Sequence, residues 1–190
     1  KNTLNDLFSS SSTTRYIHIA KRTIPALQRT SDVLIAKENA VVGVETSIPS
    51  ANGSGTYYYD QASKTLTLNN VNIASSSIIN GIQFTKDGTY TINLVGTNTI
   101  SDVSNGISVT DDKYITSLNV TITGTGSLDI SARGLAINMK KGDLKFENTG
   151  EIKLTTSNIS PTHNVLSVSG NITIADMEKY KVEGIVQDNT

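Results

Sequence analysis

Three consecutive tyrosines, Tyr57, Tyr58 and Tyr59, form the only aromatic cluster in the 190-residue chain. Neighbouring side chains of a strand point to opposite sides, so Tyr57 and Tyr59 share one side and Tyr58 occupies the other. A tyrosine ring offers a flat apolar face to the C–H groups of a sugar, and its hydroxyl adds a hydrogen bond. The cluster is therefore a candidate carbohydrate site. The alternative is that one of its sides packs N-terminal residues onto the rest of the fold.

Acidic residues recur at Asp87, Asp111, Asp112 and Asp143. Each of them follows a short apolar segment that opens a sequence repeat and precedes the next predicted strand. Stacked carboxylates can bind Ca²⁺, which takes about six to eight oxygen ligands. Aspartate is also frequent in turns because its side chain bonds to nearby backbone, and no contiguous calcium-loop motif occurs. The sequence predicts no required cofactor and leaves open a calcium site at Asp87, Asp112 and Asp143.

Catalytic chemistry finds little support in the residue pattern. A glycoside hydrolase needs two carboxyl groups about 5–9.5 Å apart across a cleft, and no spacing among Asp60, Asp102 and Asp129 favours one pair. The two histidines, His18 and His163, lie far apart in sequence without a neighbouring nucleophile, and the chain has no cysteine. We expect no catalytic residues and no enzymatic activity.

The elements that position these residues repeat along the chain. Three segments open alike with glycine and a degenerate fourth follows, at spacings between 25 and 31 residues. They are Gly81-Ile82-Gln83-Phe84, Gly106-Ile107-Ser108-Val109, Gly134-Leu135-Ala136-Ile137 and Val165-Leu166-Ser167-Val168. Repetition at this period is typical of a solenoid.

Short strands alternate apolar and polar side chains within each repeat, which predicts two inward side chains and one outward side chain per strand. These strands are Leu66-Thr67-Leu68, Ile92-Asn93-Leu94, Val120-Thr121-Ile122, Leu144-Lys145-Phe146 and Ile172-Thr173-Ile174. Glycine and asparagine corners separate them. The pattern predicts an all-β fold: a right-handed single-stranded parallel β-helix of about five short three-strand coils, with an N-terminal β cap. Asn80 and Asn105 should stack along its axis until Arg133 interrupts the column.

Composition along the chain predicts four segments. Residues 1–14 form a linker or lead-in, residues 15–55 an N-terminal cap, residues 56–174 the parallel β-helix, and residues 175–190 a C-terminal cap or tail. We expect the chain to belong to a larger multi-module protein.

The charge balance is close to neutral, with 16 basic and 17 acidic residues. No basic face therefore favours nucleic acid as a partner. No apolar run reaches the roughly 18 residues of a membrane span, so we expect no membrane insertion.

The segment from Tyr59 to Ile73, with its "TLTLNNVNI" sequence, resembles an opening found in repeat-bearing surface proteins of gut and other anaerobic bacteria. The corners "GTNTI" at 96–100 and "GTGSL" at 124–128 are also similar to corners in that family. Its members carry the label carbohydrate-binding domain-containing protein. The resemblance covers roughly residues 31–174 and implies an extracellular or cell-surface location.

Together these observations predict a non-catalytic bacterial cell-surface module that is carbohydrate-binding or adhesive, with a glycan or a host or cell-surface polysaccharide as partner. One alternative is a structural stalk or spacer repeat, which further copies of the coil in the parent gene would support. Another is a phage or virion fibre, which would be trimeric and is testable by light scattering.

Overall fold

The structure is a computed structural model that describes residues 26–109, 113–157 and 164–175. The predicted lead-in of residues 1–14, the tail beyond Ala175 and Asp112 lie outside the described residues. Within the described part the chain is all-β, with sixteen strands and no helix. The strands are β1 (Arg29–Ile35), β2 (Glu38–Val41), β3 (Thr46–Ser47), β4 (Gly53–Asp60), β5 (Thr65–Ala74), β6 (Asn80–Phe84), β7 (Gly88–Val95), β8 (Thr97–Ser101), β9 (Asn105–Val109), β10 (Leu118–Gly124), β11 (Ser127–Ala132), β12 (Ile137–Met139), β13 (Leu144–Phe146), β14 (Ile152–Thr156), β15 (Leu166–Val168) and β16 (Ile172–Ile174).

Strands that are distant in sequence pair in parallel and form three stacks. The first stack contains the N-terminal half of β5, then β7, β10, β13 and β16. The second contains the C-terminal half of β5, then β8, β11 and β14. The third contains β6, β9, β12 and β15. The predicted parallel β-helix is thereby confirmed, because each turn of the chain contributes one strand to each stack.

The number of complete turns is about four rather than the predicted five. The turns consist of β5–β6, β7–β9, β10–β12 and β13–β15, and β16 supplies only the first strand of another turn. The sequence counted five because the apolar alternation at Ile172 to Ile174 resembles that of the four earlier turns.

The predicted alternation places apolar side chains in a continuous interior. One interior column of the first stack runs through Leu66, Ile92, Ile122, Phe146 and Ile174. The first four of these side chains are buried. Each buried aliphatic or aromatic side chain stabilises the fold by roughly 1.5–3 kcal/mol, so the stacking of turns supplies a core that no single turn contains.

The register between the second and third turns differs from the sequence prediction by two residues. Val120 pairs with Tyr90 rather than Ile92, and Ile92 pairs with Ile122. The sequence comparison matched the Gly-Thr corner at 96–97 with the Gly-Thr corner at 124–125. In the structure Ser127 pairs with Thr97, so Gly126 rather than Gly124 lies at the corner.

The repeated glycines show the same offset. Ile107 pairs with Ile137, so Gly134 is not the structural equivalent of Gly106. Ala136 therefore occupies the position that Gly106 holds in the preceding turn. The segment between β9 and β10 is longer than the segment between β6 and β7. The spacing of the glycines does not show where the extra residues lie.

Antiparallel strands pair with the first turn of the solenoid on its N-terminal side. Strand β1 pairs with both β2 and β6, and β4 pairs with both β3 and β5. These strands extend from Arg29 to Asp60, and parallel pairing begins at Thr65. Their pairing gives hydrogen-bond partners to backbone groups of β5 and β6.

Candidate functional site

The tyrosine cluster divides between the core and the surface. Tyr57 and Tyr59 are 4% and 0% exposed, whereas Tyr58 is 41% exposed. The Tyr57 hydroxyl accepts a hydrogen bond from the Val41 backbone N–H at 3.1 Å. A sugar can therefore reach only Tyr58, and the other two rings pack the N-terminal strands onto the first turn.

The buried Tyr59 hydroxyl has no hydrogen-bond partner among the described residues. Burial, together with the negative charges of Asp32 and Asp60, raises the pKa of Tyr59 to about 12. This phenol therefore stays neutral at physiological pH and supplies no anion for chemistry.

Tyr58 begins a straight column of outward side chains on the first stack. Tyr58 pairs with Thr67, Thr67 with Asn93, and Asn93 with Thr123. Hydrogen-bonded strands lie about 4.8 Å apart, so this spacing separates the side chains along the column. The Asn93 amide nitrogen donates to the Thr67 hydroxyl at 3.3 Å, which fixes the orientation of both groups.

A second outward column runs beside the first. It contains, in order of pairing, Asp60, Thr65, Thr91, Thr121, Lys145 and Thr173. The exposed Asp60 carboxylate accepts bonds from the Ser63 hydroxyl at 2.9 Å and the Ala62 N–H at 3.0 Å. Those bonds lower the pKa of Asp60, so its carboxylate is ionised at neutral pH.

We call the two columns, as far as Thr121 and Thr123, the Tyr58 surface. It combines an exposed aromatic ring, a carboxylate and regularly spaced hydroxyl and amide groups on a rigid sheet. Aromatic rings stack on apolar sugar faces, and hydroxyls and amides both donate and accept hydrogen bonds. This arrangement can bind a polyhydroxylated ligand.

Asp87, one of the predicted calcium ligands, bonds instead to the backbone of the next turn. Its carboxylate accepts from the Thr116 N–H at 2.8 Å, the Thr116 hydroxyl at 3.0 Å and the Ser117 N–H at 3.2 Å. The backbone bonds from Thr116 and Ser117 lower the pKa of Asp87. Asp87 thus anchors the segment that precedes β10.

Asp143 plays an equivalent role further along the axis. Its backbone N–H donates to the Asn119 side-chain oxygen at 2.9 Å, and its carboxylate accepts from the Asn171 N–H at 2.7 Å. Within residues 26–109, 113–157 and 164–175, no three acidic or histidine side chains are grouped to hold a metal. Asp112 lies outside those ranges, so the calcium site stays a prediction.

The asparagine column predicted at the coil openings exists, although its end was wrongly placed. The Asn105 amide nitrogen donates to the Asn80 side-chain oxygen at 3.0 Å. The Leu135 N–H then donates to the Asn105 side-chain oxygen at 3.4 Å. Leu135 rather than Arg133 ends the column, because the third turn is offset by two residues.

The acidic residues considered for catalysis lie on different parts of the solenoid. Asp60 borders the first stack, whereas Asp129 lies on β11 in the second stack and forms an ion pair with Lys153 at 3.4 Å. Asp102 lies at a corner with a positive φ of 58°. The fold therefore does not gather these three carboxylates on one face.

The sequence did not predict a shallow, open depression of about 500 Å³, which lies at the N-terminal ends of strands β5, β7 and β10 in the first stack. It is lined by Lys64, Thr85, Lys86, Asp87, Tyr114 and Ile115. Tyr114 is 74% exposed, the most exposed aromatic side chain in the described residues. A single tyrosine beside Lys113 in a polar segment was the available signal, and it is weak because only clustered aromatics stand out in a sequence.

No described helix is long and apolar enough to cross a membrane. No family model matches the chain, and neither does any curated protein or solved structure.

Proposed function

We propose that this chain is a non-catalytic carbohydrate-binding or adhesive module of a bacterial cell surface, which holds a glycan on the Tyr58 surface. The observation that carries the proposal is the exposed Tyr58 ring at the end of an in-register column of hydroxyl and amide side chains. Few other outward side chains on this face are apolar, so the ring offers a stacking position in polar surroundings.

Binding would divide between stacking and hydrogen bonding. The ring of Tyr58 receives the C–H face of one sugar unit, and Thr67, Asn93 and Thr123 exchange hydrogen bonds with the hydroxyls of the units that follow. Each such bond is worth roughly 0.5–1.5 kcal/mol net, so useful affinity requires several at once. The paired strands hold these groups in place before binding, which lowers the entropic cost of association.

Asp60 adds a charged acceptor beside Tyr58. Its carboxylate retains acceptor capacity beyond the bonds to Ser63 and Ala62, because two carboxylate oxygens offer about four lone-pair sites. Hydrogen bonds to a charged acceptor are about twice as strong as neutral ones. Asp60 would therefore orient the sugar unit that stacks on Tyr58.

The cell-surface location and the membership of a larger chain rest on the resemblance of the 59–73 segment to repeat-bearing surface proteins. A rigid solenoid suits that setting, since it presents one flat face without needing a cleft.

The test is a glycan-array screen of the wild-type chain, followed by affinity measurements with Tyr58→Ala on any glycan bound. We expect the variant to bind about two- to tenfold more weakly, since loss of an aromatic contact removes roughly 0.5–1.5 kcal/mol. Ile79→Ala is the matched control, because it truncates another exposed apolar side chain away from this surface. Equal binding by wild type and Tyr58→Ala would refute the assignment of the surface, and an empty array would refute the function.

A structural spacer is the second candidate, and the side-chain bonds between successive turns favour it. Asn98 and Asn105 both tie one turn to the next along the axis. A spacer should resist extension and bind no glycan, so pulling on single molecules would show unfolding at high force in a protein that fails the array.

A further inference from the structure

We infer that the depression at the edge of the first stack, lined by Lys64, Lys86, Asp87 and Tyr114, is a subsite for a carboxylated sugar such as a hexuronic acid. The inference rests on the proposed function, because it names the glycan class and adds a second contact region. The depression is shallow and open, so it would receive one face of a sugar unit rather than enclose it.

The aromatic wall of the depression is held by an anchored segment. Tyr114 is exposed, but the adjoining Ile115 is buried in the core. Asp87 binds the next two residues through the N–H groups of Thr116 and Ser117. The Tyr114 ring is therefore presented from a fixed backbone, as a stacking platform requires.

The ammonium groups around the depression are only partly neutralised. Lys86 forms an ion pair with Asp32 at 2.7 Å. Lys64 instead donates to the Asp87 backbone oxygen at 2.6 Å and lies 4.8 Å from the centre of the Tyr90 ring. Neither contact cancels the charge of Lys64, so this ammonium can attract an anionic ligand.

A second ammonium group lies close to the platform. The Nζ atom of Lys113 is 4.9 Å from the centre of the Tyr114 ring. Among the described residues, neither Lys113 nor Lys64 lies within ion-pair distance of a carboxylate. A sugar stacked on Tyr114 would thus meet positive charge on its substituents.

Among the residues that the structure describes, Asp87 is the one carboxylate that lines the depression, and its charge limits which anions fit. Its oxygens already accept three bonds from Thr116 and Ser117. Its charge disfavours multiply charged anions near Lys64, whereas a single carboxylate on a sugar ring can lie away from it. The proposed ligand is therefore a singly charged acidic sugar of the hexuronic acid class rather than a phosphate group.

The depression and the Tyr58 surface adjoin each other along the chain. Lys64 immediately precedes Thr65, which belongs to the Asp60 column. An acidic polysaccharide can therefore contact Tyr114 with one unit and Tyr58 with a later one.

The experiment compares binding of oligogalacturonate, the neutral galacto-oligosaccharide of matched linkage and length, and inorganic phosphate by isothermal titration calorimetry on the full chain. Oligogalacturonate should bind most tightly, and its affinity should fall as salt rises from low concentration. We expect Lys64→Gln to weaken oligogalacturonate binding about fivefold and Tyr114→Ala about two- to tenfold. The control Lys140→Gln, an exposed lysine in a later turn, should change nothing.

Each alternative result is decisive. Binding of the neutral sugar with equal affinity, or oligogalacturonate binding that survives both substitutions, would overturn the subsite and leave the proposed function standing. Phosphate binding that competes with oligogalacturonate and survives Tyr114→Ala would indicate a simple anion site and also overturn it. Failure of every glycan would sink both the subsite and the proposed function.

Discussion

The side-chain oxygen of Asn98 accepts a hydrogen bond from the backbone N–H of Val71 in the preceding turn, at 3.0 Å. The amide nitrogen of Asn98 donates to the Val95 oxygen at 3.1 Å and to the Ser127 oxygen in the following turn at 3.2 Å. Asn98 is 0% exposed. One buried side chain therefore joins three successive turns at a corner, where the strand-to-strand bonds are interrupted.

Replacing Asn98 with alanine should lower the free energy of unfolding by about 2–4 kcal/mol, because one buried and two partly buried backbone groups lose their partner. Urea denaturation followed by circular dichroism measures the change. Asn72→Ala is the control: Asn72 is exposed, and within the described residues its side chain bonds only to the Thr99 hydroxyl, so its loss should cost no more than about 0.5 kcal/mol. Equal effects would show that the buried amide does not hold the turns together.

The two buried tyrosines should respond oppositely to removal of the hydroxyl. Tyr57→Phe deprives the Val41 N–H of its acceptor and should destabilise the protein by about 1–3 kcal/mol. Tyr59→Phe removes a buried hydroxyl without a partner in the described residues, and should be neutral or stabilising by up to about 1 kcal/mol.

Thermal unfolding of both phenylalanine variants provides the comparison, since the two changes remove the same atom from the same strand. A marked loss of stability in Tyr59→Phe would mean that its hydroxyl has a partner in solution, such as bound water.

The sequence predicted the winding of the chain because inward apolar positions recur in every turn. Leu66, Ile92 and Leu144 all lie where the alternation placed them, inside the first stack. The register between the second and third turns was not predicted correctly, because it depends on the length of the segment before β10 and not on the local pattern of apolar residues. Ile92 and Val120 were matched from similar corners, although Tyr90 is the partner of Val120.

The candidate site was predicted only in part. The sequence identified Tyr58 by its neighbours, but period-two alternation cannot tell which side of β4 faces the core. Tyr114 was overlooked since its exposure depends on the backbone anchors that Asp87 provides from the previous turn. Contacts between residues about 29 positions apart carry no local sequence signal.

Stability should depend on Asp87 in acid. Its pKa in the folded protein lies below the ordinary value of 3.8, owing to the bonds from Thr116 and Ser117. A depressed folded pKa stabilises the protein above the unfolded pKa, and this contribution is lost as pH falls through the folded pKa. The carboxyl ¹³C shift of Asp87 should titrate below 3.8, and Asp87→Asn should remove part of the acid dependence of unfolding. An ordinary titration in the folded protein would contradict the observed capping bonds.

Gly106 should be intolerant of even a methyl group, although its φ is unexceptional. A Cβ there would lie 2.3 Å from the Ile130 Cγ2 atom and 2.5 Å from the Ala136 backbone oxygen. Since both neighbours belong to the next turn, the turns must separate or shift to admit it. We expect Gly106→Ala to lower the free energy of unfolding by about 1–3 kcal/mol, the usual cost of overpacking.

A double-mutant cycle with Ile130→Ala separates the two clashes. If the Ile130 side chain is the main obstacle, alanine at 106 should cost less by about 1 kcal/mol in the Ile130→Ala background, since contacting residues are non-additive on this scale. If the Ala136 carbonyl dominates, the cost should be the same in both backgrounds, because no side-chain truncation moves a backbone oxygen. A stable Gly106→Ala protein would mean that neighbouring turns can slide apart at no cost, which is incompatible with the close packing that makes each turn depend on the next.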